Sequence, residues 1–205
     1  MLKKHLSSAF LGCAMAAFAT GANAYQINFE SAYNANWADI SPSFGSIAGE
    51  VAVSYADPQR NLSTLRYWQG GYSGGHSAAF AGTGEGSTGV IYLTPLSGNS
   101  VTLNSFFLGS YLDANRASSY YIDNLSTPGI DQTSGSITIG ATGLTVTPNI
   151  SSTQGIVIHF GPTAYNVGIN HINFSVTPVP EPDAYALLLA GLGLIATIAR
   201  RRRAS

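Results

Sequence analysis

Along the interior of this chain apolar side chains recur at every second position, the period of strands with one buried face rather than of helices. Tyr25, Ile27 and Phe29 alternate with polar neighbours, as do Val51, Val53 and Tyr55. Val101 and Leu103 continue the pattern through Ser105 into Phe106-Phe107-Leu108. Ile137 with Ile139, Leu144 with Val146, Ile156 to Phe160, and Val167 to Val176 extend it. Turn formers punctuate the runs at Asp57-Pro58, Ser97-Gly98-Asn99, Thr127-Pro128-Gly129 and Gly161-Pro162. No interior stretch sustains a helical period, so the spacing predicts an all-β fold, an antiparallel β-sandwich or jelly roll over 25–177. Strict alternation would bury Phe29, Val53, Tyr55, Leu103, Phe107, Ile158 and Phe174. Ile169 and Ile172 stand three apart, which predicts a bulge at Asn170-His171-Ile172. The glycine-rich segment from Gly70 to Gly89 reads as a mobile loop over one end of the sandwich.

Charge is scarce and sorted. Only 9% of the 205 residues are charged and the formal net charge is −1. Between Tyr25 and Thr177, three arginines (Arg60, Arg66, Arg116) face eight carboxylates (Glu30, Asp39, Glu50, Asp57, Glu85, Asp113, Asp123, Asp131), a net charge of −5. That balance excludes a basic nucleic-acid surface, and no nucleic-acid partner is expected.

The cations gather at the two ends. Lys3 and Lys4 precede an apolar run from Leu6 to Ala19, and Ala22-Asn23-Ala24 follows. Lysines held on the cytoplasmic side, a short apolar core and small residues at the cut make a secretory signal peptide over 1–24, with Tyr25 as the new first residue. The Sec translocon and signal peptidase are the partners this implies. Cys13, the one cysteine, lies inside that peptide, so the mature chain would have no thiol chemistry. At the other end, Ala184 to Ala199 is uncharged and mostly apolar and runs directly into Arg200, Arg201, Arg202 and Arg203. This predicts a single transmembrane helix over 184–199, with the arginines as a cytoplasmic stop and the preceding domain outside.

Before that helix stands Thr177-Pro178-Val179-Pro180-Glu181-Pro182, whose prolines remove backbone donors and hold the segment extended. The order of VPEP, an apolar stretch carrying Gly191 and Gly193, and RRRR resembles the PEP-CTERM sorting signal of exopolysaccharide-producing Gram-negative bacteria. The resemblance covers Val179 to roughly Arg203, within a tail region of 178–205. It implies recognition by exosortase, an integral-membrane thiol transpeptidase-like enzyme, through Pro180, Glu181 and Pro182. It further implies transient residence in the inner membrane, then delivery to the cell surface or extracellular polysaccharide matrix. Less specifically, Ser100 to Leu112 and Val167 to Val176 are similar to strands of galactose-binding-like jelly rolls.

Several short patterns invite a chemical reading. Gly71-Tyr72-Ser73-Gly74-Gly75 has the spacing of a nucleophile elbow, with Asp113 or Asp123 and then His159 or His171 in the chain order of a serine esterase. An elbow needs a helix after the serine, whereas a glycine-rich run and the strand-like Val90-Ile91-Tyr92 follow, so a catalytic role for Ser73 is not favoured. Gly84-Glu85-Gly86-Ser87-Thr88-Gly89 has dinucleotide-loop spacing but leads into that same strand pattern rather than a helix. Neither strand histidine, His159 or His171, has a partner at metal-like spacing and the mature chain would have no thiol, so no transition-metal site and no cofactor are expected. Ca²⁺ is the ion that Asp113-Ala114-Asn115 and Asp123-Asn124 could hold. Trp37, Tyr67, Trp68, Tyr72 and Tyr111 could offer sugar rings an aromatic platform, Trp68 and Tyr72 first because they flank the glycine-rich segment. The sequence thus predicts a non-enzymatic exported surface protein, with a lectin-like module and a Ser73 esterase as the alternatives.

Overall fold

The computed structural model describes residues 21–204 apart from 31, 34, 128, 180 and 181. Among the described residues, thirteen strands and one helix follow in chain order. They are β1 (Asn23–Ile27), β2 (Val51–Ala56), β3 (Arg66–Tyr72), β4 (His76–Phe80), β5 (Gly89–Pro95), β6 (Asn99–Ser110) and β7 (Arg116–Asn124). Then come β8 (Ile130–Thr133), β9 (Ile137–Ile139), β10 (Leu144–Val146), β11 (Ile150–Ser152), β12 (Ile156–Gly161), β13 (Val167–Pro178) and α1 (Pro182–Ala204). The strands form two antiparallel sheets. The first has the order β10-β6-β13-β4-β3, with β1 also on β13 and β11 on β6. The second has the order β2-β5-β12-β7-β8, with β9 also on β7. The predicted β-sandwich is therefore present.

Alternation builds the core between the sheets. Val51, Val53 and Tyr55 on β2 are buried while Ala52 and Ser54 are exposed. They meet Ile91, Leu93, Ile156, Ile158 and Phe160 of their own sheet, and Leu103, Phe106, Leu108, Ile169, Ile172 and Phe174 of the facing one, in a single apolar cluster.

The longest pairing, β6 with β13, is interrupted twice. Ile169 faces Leu108 and Ile172 faces Phe106, so Asn170 and His171 together oppose Phe107. Asn173 then faces Ser105 but Phe174 faces Leu103, which leaves Asn104 as an extra residue on the other strand. The first bulge lies where the sequence placed it. The second restores the original register, so two compensating bulges bracket a short offset segment. The offset corrects one core assignment: Phe106 is 1% exposed and points inward, whereas Phe107 is only partly buried.

The glycine-rich segment is also corrected. Much of Gly70 to Gly89 is the β3–β4 hairpin rather than a mobile loop, and Ala78, Ala79, Phe80 and Ala81 within it are buried. Gly70, Gly71, Gly74 and Gly75 all have positive φ. They shape the turn and the irregular register between Trp68 and Tyr72, which residues with a Cβ would strain.

At the C-terminus, β13 ends at Pro178, opposite Asn99, and the Val179 N–H donates to the Gly98 carbonyl at 2.7 Å. Three residues later α1 begins at Pro182, where the missing N–H costs nothing. Among the described residues no helix is long and apolar enough to cross a membrane, which corrects the expected transmembrane span over 184–199. The sixteen uncharged residues at 1.5 Å each reach about 24 Å, short of the roughly 30 Å hydrocarbon layer.

Candidate functional site

Two regions could carry function: the tail, and the outer face of the first sheet. In the tail, α1 presents large apolar side chains all round rather than along one stripe. Leu187 is 74% exposed, Leu189 68% and Leu194 66%, with Leu188, Ile195 and Ile198 also exposed. Such a surface is stable only against another apolar medium or partner. Arg200, Arg201 and Arg202 continue the same helix and are exposed. Pro180 and Glu181 lie outside the described residues, as does the expected signal peptide up to residue 20. Ala22 precedes β1, while Asn23 and Ala24 pair with Val176 and Ser175 as its first two residues. A cut after Ala24 would leave Tyr25, Gln26 and Ile27 paired with Phe174, Asn173 and Ile172, and Tyr25 Oη donates to Glu50 at 2.8 Å.

On the outer face of the first sheet, β3 and β4 carry an aromatic cluster separate from the main core. Tyr72, Ala78 and Phe80 are buried beneath Trp68, Tyr111 and Tyr165. Trp37 closes the top, edge-on to Trp68 at 5.3 Å and to Phe80 at 5.5 Å between ring centroids. The structure thus brings Trp68 and Tyr72 together, with a different exposure for each. Tyr72 is 2% exposed and its hydroxyl donates to the Tyr165 carbonyl at 3.1 Å. Burial holds that hydroxyl protonated, far above the ordinary tyrosine value. The hollow among the rings is about 40 Å³. Trp37, 46% exposed, sits at φ +68°, a strained position for a bulky side chain, with the Arg66 guanidinium 5.4 Å from its ring centroid.

Further along the same face lies a second hollow, of about 250 Å³, over the offset segment between the two bulges. Phe107, Ser105, His171, Asn173, Gln26 and Thr145 line it. Gln26 Nε2 donates to Asn173 Oδ1 at 2.9 Å, and Asn173 Nδ2 donates to Ser105 Oγ at 2.9 Å. The His76 ring stands edge-on to Phe107 at 5.3 Å and to His171 at 6.0 Å. His76 Nδ1 in turn pairs with Glu30, which also accepts from Ser77 N and Asn170 Nδ2. Partial burial pushes the Glu30 pKa up, but the Ser77, His76 and Asn170 hydrogen bonds outweigh it and leave the carboxyl below its ordinary value. Sequence reading missed this hollow. Its signal was the break at Asn170-His171, which marked the first bulge without revealing the second.

The remaining motifs do not assemble. Ser73 is 2% exposed; its hydroxyl donates to the Gly140 carbonyl at 2.6 Å and accepts from Ser110 N at 2.7 Å. Its one proton is committed to a backbone acceptor, and among the described residues no imidazole is bonded to the hydroxyl. His159 stacks on Tyr121 at 3.9 Å, 3.5 Å from Asp123. Burial pushes its pKa down, and Asp123 partly offsets the shift. Asp113 Oδ1 accepts from Gly74 N at 2.8 Å, and the Asn124 amide donates to the Ser151 carbonyl at 3.0 Å. Among the described residues no three His, Cys, Asp or Glu side chains gather as a metal group.

Comparison with known proteins decides the tail. Residues 178–203 match the family model described as PEP-CTERM protein-sorting motif. The chain carries that sorting signal. The match spans Pro180, Glu181 and Pro182, α1 and the arginine cluster, in the order already described. No curated protein matches the chain significantly. Among solved structures, a family 11 carbohydrate-binding module from Clostridium thermocellum in complex with a beta-1,3-1,4-mixed-linked tetrasaccharide overlaps at 14% identity. The overlap covers 76% of this chain and 92% of that one, with a TM-score of 0.27. The family 11 module of the cellulosomal cellulase Lic26A-Cel5E of Clostridium thermocellum overlaps at 13% identity, with the same coverages and a TM-score of 0.25. Superpositions this loose transfer no site.

Proposed function

We propose that this protein is exported across the inner membrane and that exosortase reads and removes its tail, delivering the β-sandwich to the cell surface or the extracellular polysaccharide matrix. The match of residues 178–203 to the sorting motif carries this reading. In the proposed sequence, the Sec translocon moves the chain outward, signal peptidase cuts after Ala24, and the apolar surface of α1 holds the domain at the inner membrane until the tail is cut. Its exposed leucines give α1 a reason to leave water.

The structure-bearing domain runs close to the motif. Only residues 179–181 separate the last paired position of β13 from α1, so the domain stands directly above the membrane while the tail is engaged. Prolines at 178, 180 and 182 lack the N–H that a strand ladder or helix interior would use, and Pro180, Glu181 and Pro182 are the residues exosortase would read. Cell fractionation in an exosortase-bearing host tests the reading. Glu181→Ala should retain the signal-peptide cut and accumulate in the inner membrane with its tail attached, whereas deletion of 184–205 should release the domain to the periplasm. Wild type and Glu181→Ala equally full-length and equally placed would refute it.

A further inference from the structure

We propose that the hollow over the paired bulges of β6 and β13 binds a neutral oligosaccharide. The proposal goes beyond the sorting reading and does not depend on it. Its first support is backbone construction. Two bulges of opposite sense, Asn170-His171 against Phe107 and Asn104 on the other strand, bracket Ser105–Phe106 and Ile172–Asn173, and the register outside them is unchanged. Cancelling interruptions add nothing to the ladder as a whole. Their local effect is to re-aim side chains, turning Phe107 and His171 out of the sheet where unbroken alternation from Leu103 would have buried Phe107.

The second support is the chemistry of what is turned outward. No Asp, Glu, Lys or Arg lines the hollow among the described residues. The polar groups are carboxamides and hydroxyls, already aligned: Gln26, Asn173 and Ser105 form a ladder across three strands at 2.9 Å per step. Each carboxamide keeps a second N–H and spare lone pairs beyond that ladder, so both can donate to and accept from adjacent hydroxyls of one ring. Phe107 supplies an apolar surface for the C–H face of a pyranose, and its ring is held against His76 at 5.3 Å. Planar carboxamides beside an aromatic ring are the complement of a sugar, which has hydroxyls at its rim and C–H groups on its face.

Competing occupants fit less well. A nucleic acid or acidic polymer needs cations, and the domain carries −5 with none in the hollow. A peptide added as a strand needs an open edge, yet β6 and β13 are interior strands, paired on both sides.

The test uses the full chain in a sugar-free detergent, titrated calorimetrically with neutral tetrasaccharides of glucose, mannose and galactose, and with tetragalacturonate as the charged comparator. At least one neutral tetrasaccharide should bind with an affinity insensitive to salt, and tetragalacturonate should not. Phe107→Ala and Asn173→Ala should each weaken binding about tenfold, the scale of one stacked ring or one lost hydrogen-bond pair. Gln26→Ala, at an exposed position, should weaken it about fivefold with the thermal midpoint unchanged. The proposal is overturned if no neutral tetrasaccharide binds at millimolar concentration, or if tetragalacturonate binds as tightly. It is also overturned if Trp37→Ala abolishes binding while Gln26→Ala and Phe107→Ala do not, because the site would then be the aromatic cluster.

Discussion

Phe106 and Phe107 are adjacent, identical in type and opposite in environment, so replacing each by alanine isolates the effect of the bulge at Asn104. Phe106 is 1% exposed and packs edge-on to Tyr120, with ring centroids 5.5 Å apart and planes at 89°. Truncating a fully buried phenylalanine removes its transfer free energy and leaves a cavity, about 3–5 kcal/mol together. Phe107 is half-buried against His76 on the outer face, where truncation forfeits only part of one side chain's burial, about 1 kcal/mol. For a chain of this size each kcal/mol moves the thermal midpoint by about 2–4 °C. Phe106→Ala should therefore melt about 6–20 °C below wild type, and Phe107→Ala about 2–4 °C below. Near-ultraviolet circular dichroism follows the transition through the aromatic signals of the core. Equal losses, or a larger loss for Phe107→Ala, would mean that alternation runs unbroken from Leu103 and that the compensating bulges are wrong.

Two further outcomes follow from buried and half-buried charges. Asp57 is fully buried; its carboxylate accepts from Arg60 Nε at 2.5 Å and Gly82 N at 2.6 Å. Asp57→Ala removes the buried partner of a cation whose side chain is 8% exposed, leaves it only the exposed Asp39 at 3.6 Å, and should cost about 3 kcal/mol in chemical denaturation, so a loss below about 1 kcal/mol would show the pair to be water-exposed. The folded pKa of Glu30 lies below the ordinary carboxylate value of 4.5, so its contribution is complete above that value and is lost as pH falls through the folded pKa. Glu30→Gln should flatten the acid limb of midpoint against pH, and a limb as steep as that of wild type would assign it to other carboxylates.

The sequence carried the sandwich because a period of two has one physical cause, a pleated strand with one face in the core. Val51-Val53-Tyr55 and Ile156 to Phe160 behave accordingly. It also carried the bulge at Asn170, where two isoleucines three apart cannot share a face without an inserted residue. It could not show the bulge at Asn104, because Phe106-Phe107-Leu108 offers apolar residues to both faces and either phase satisfies the pattern. The β3–β4 hairpin was hidden for a related reason. Glycines at positive φ serve a tight turn within a sheet as well as they serve an irregular loop, and only the burial of Ala78 to Ala81 separates the two. In the tail the motif was legible throughout, since its parts are linear. The groove was not, because Gln26, Ser105 and Asn173 meet only through the pairing of three strands.

Intact-mass measurement of protein recovered from the surface fraction of exosortase-bearing cells tests the central claim most directly, because it reads both ends of the chain at once. The account predicts a mass lacking residues 1–24 and α1 in wild type, and a mass that retains α1 in Glu181→Ala recovered from the inner membrane. Surface-located wild-type protein that still carries α1 and Arg200 to Arg203 would contradict it.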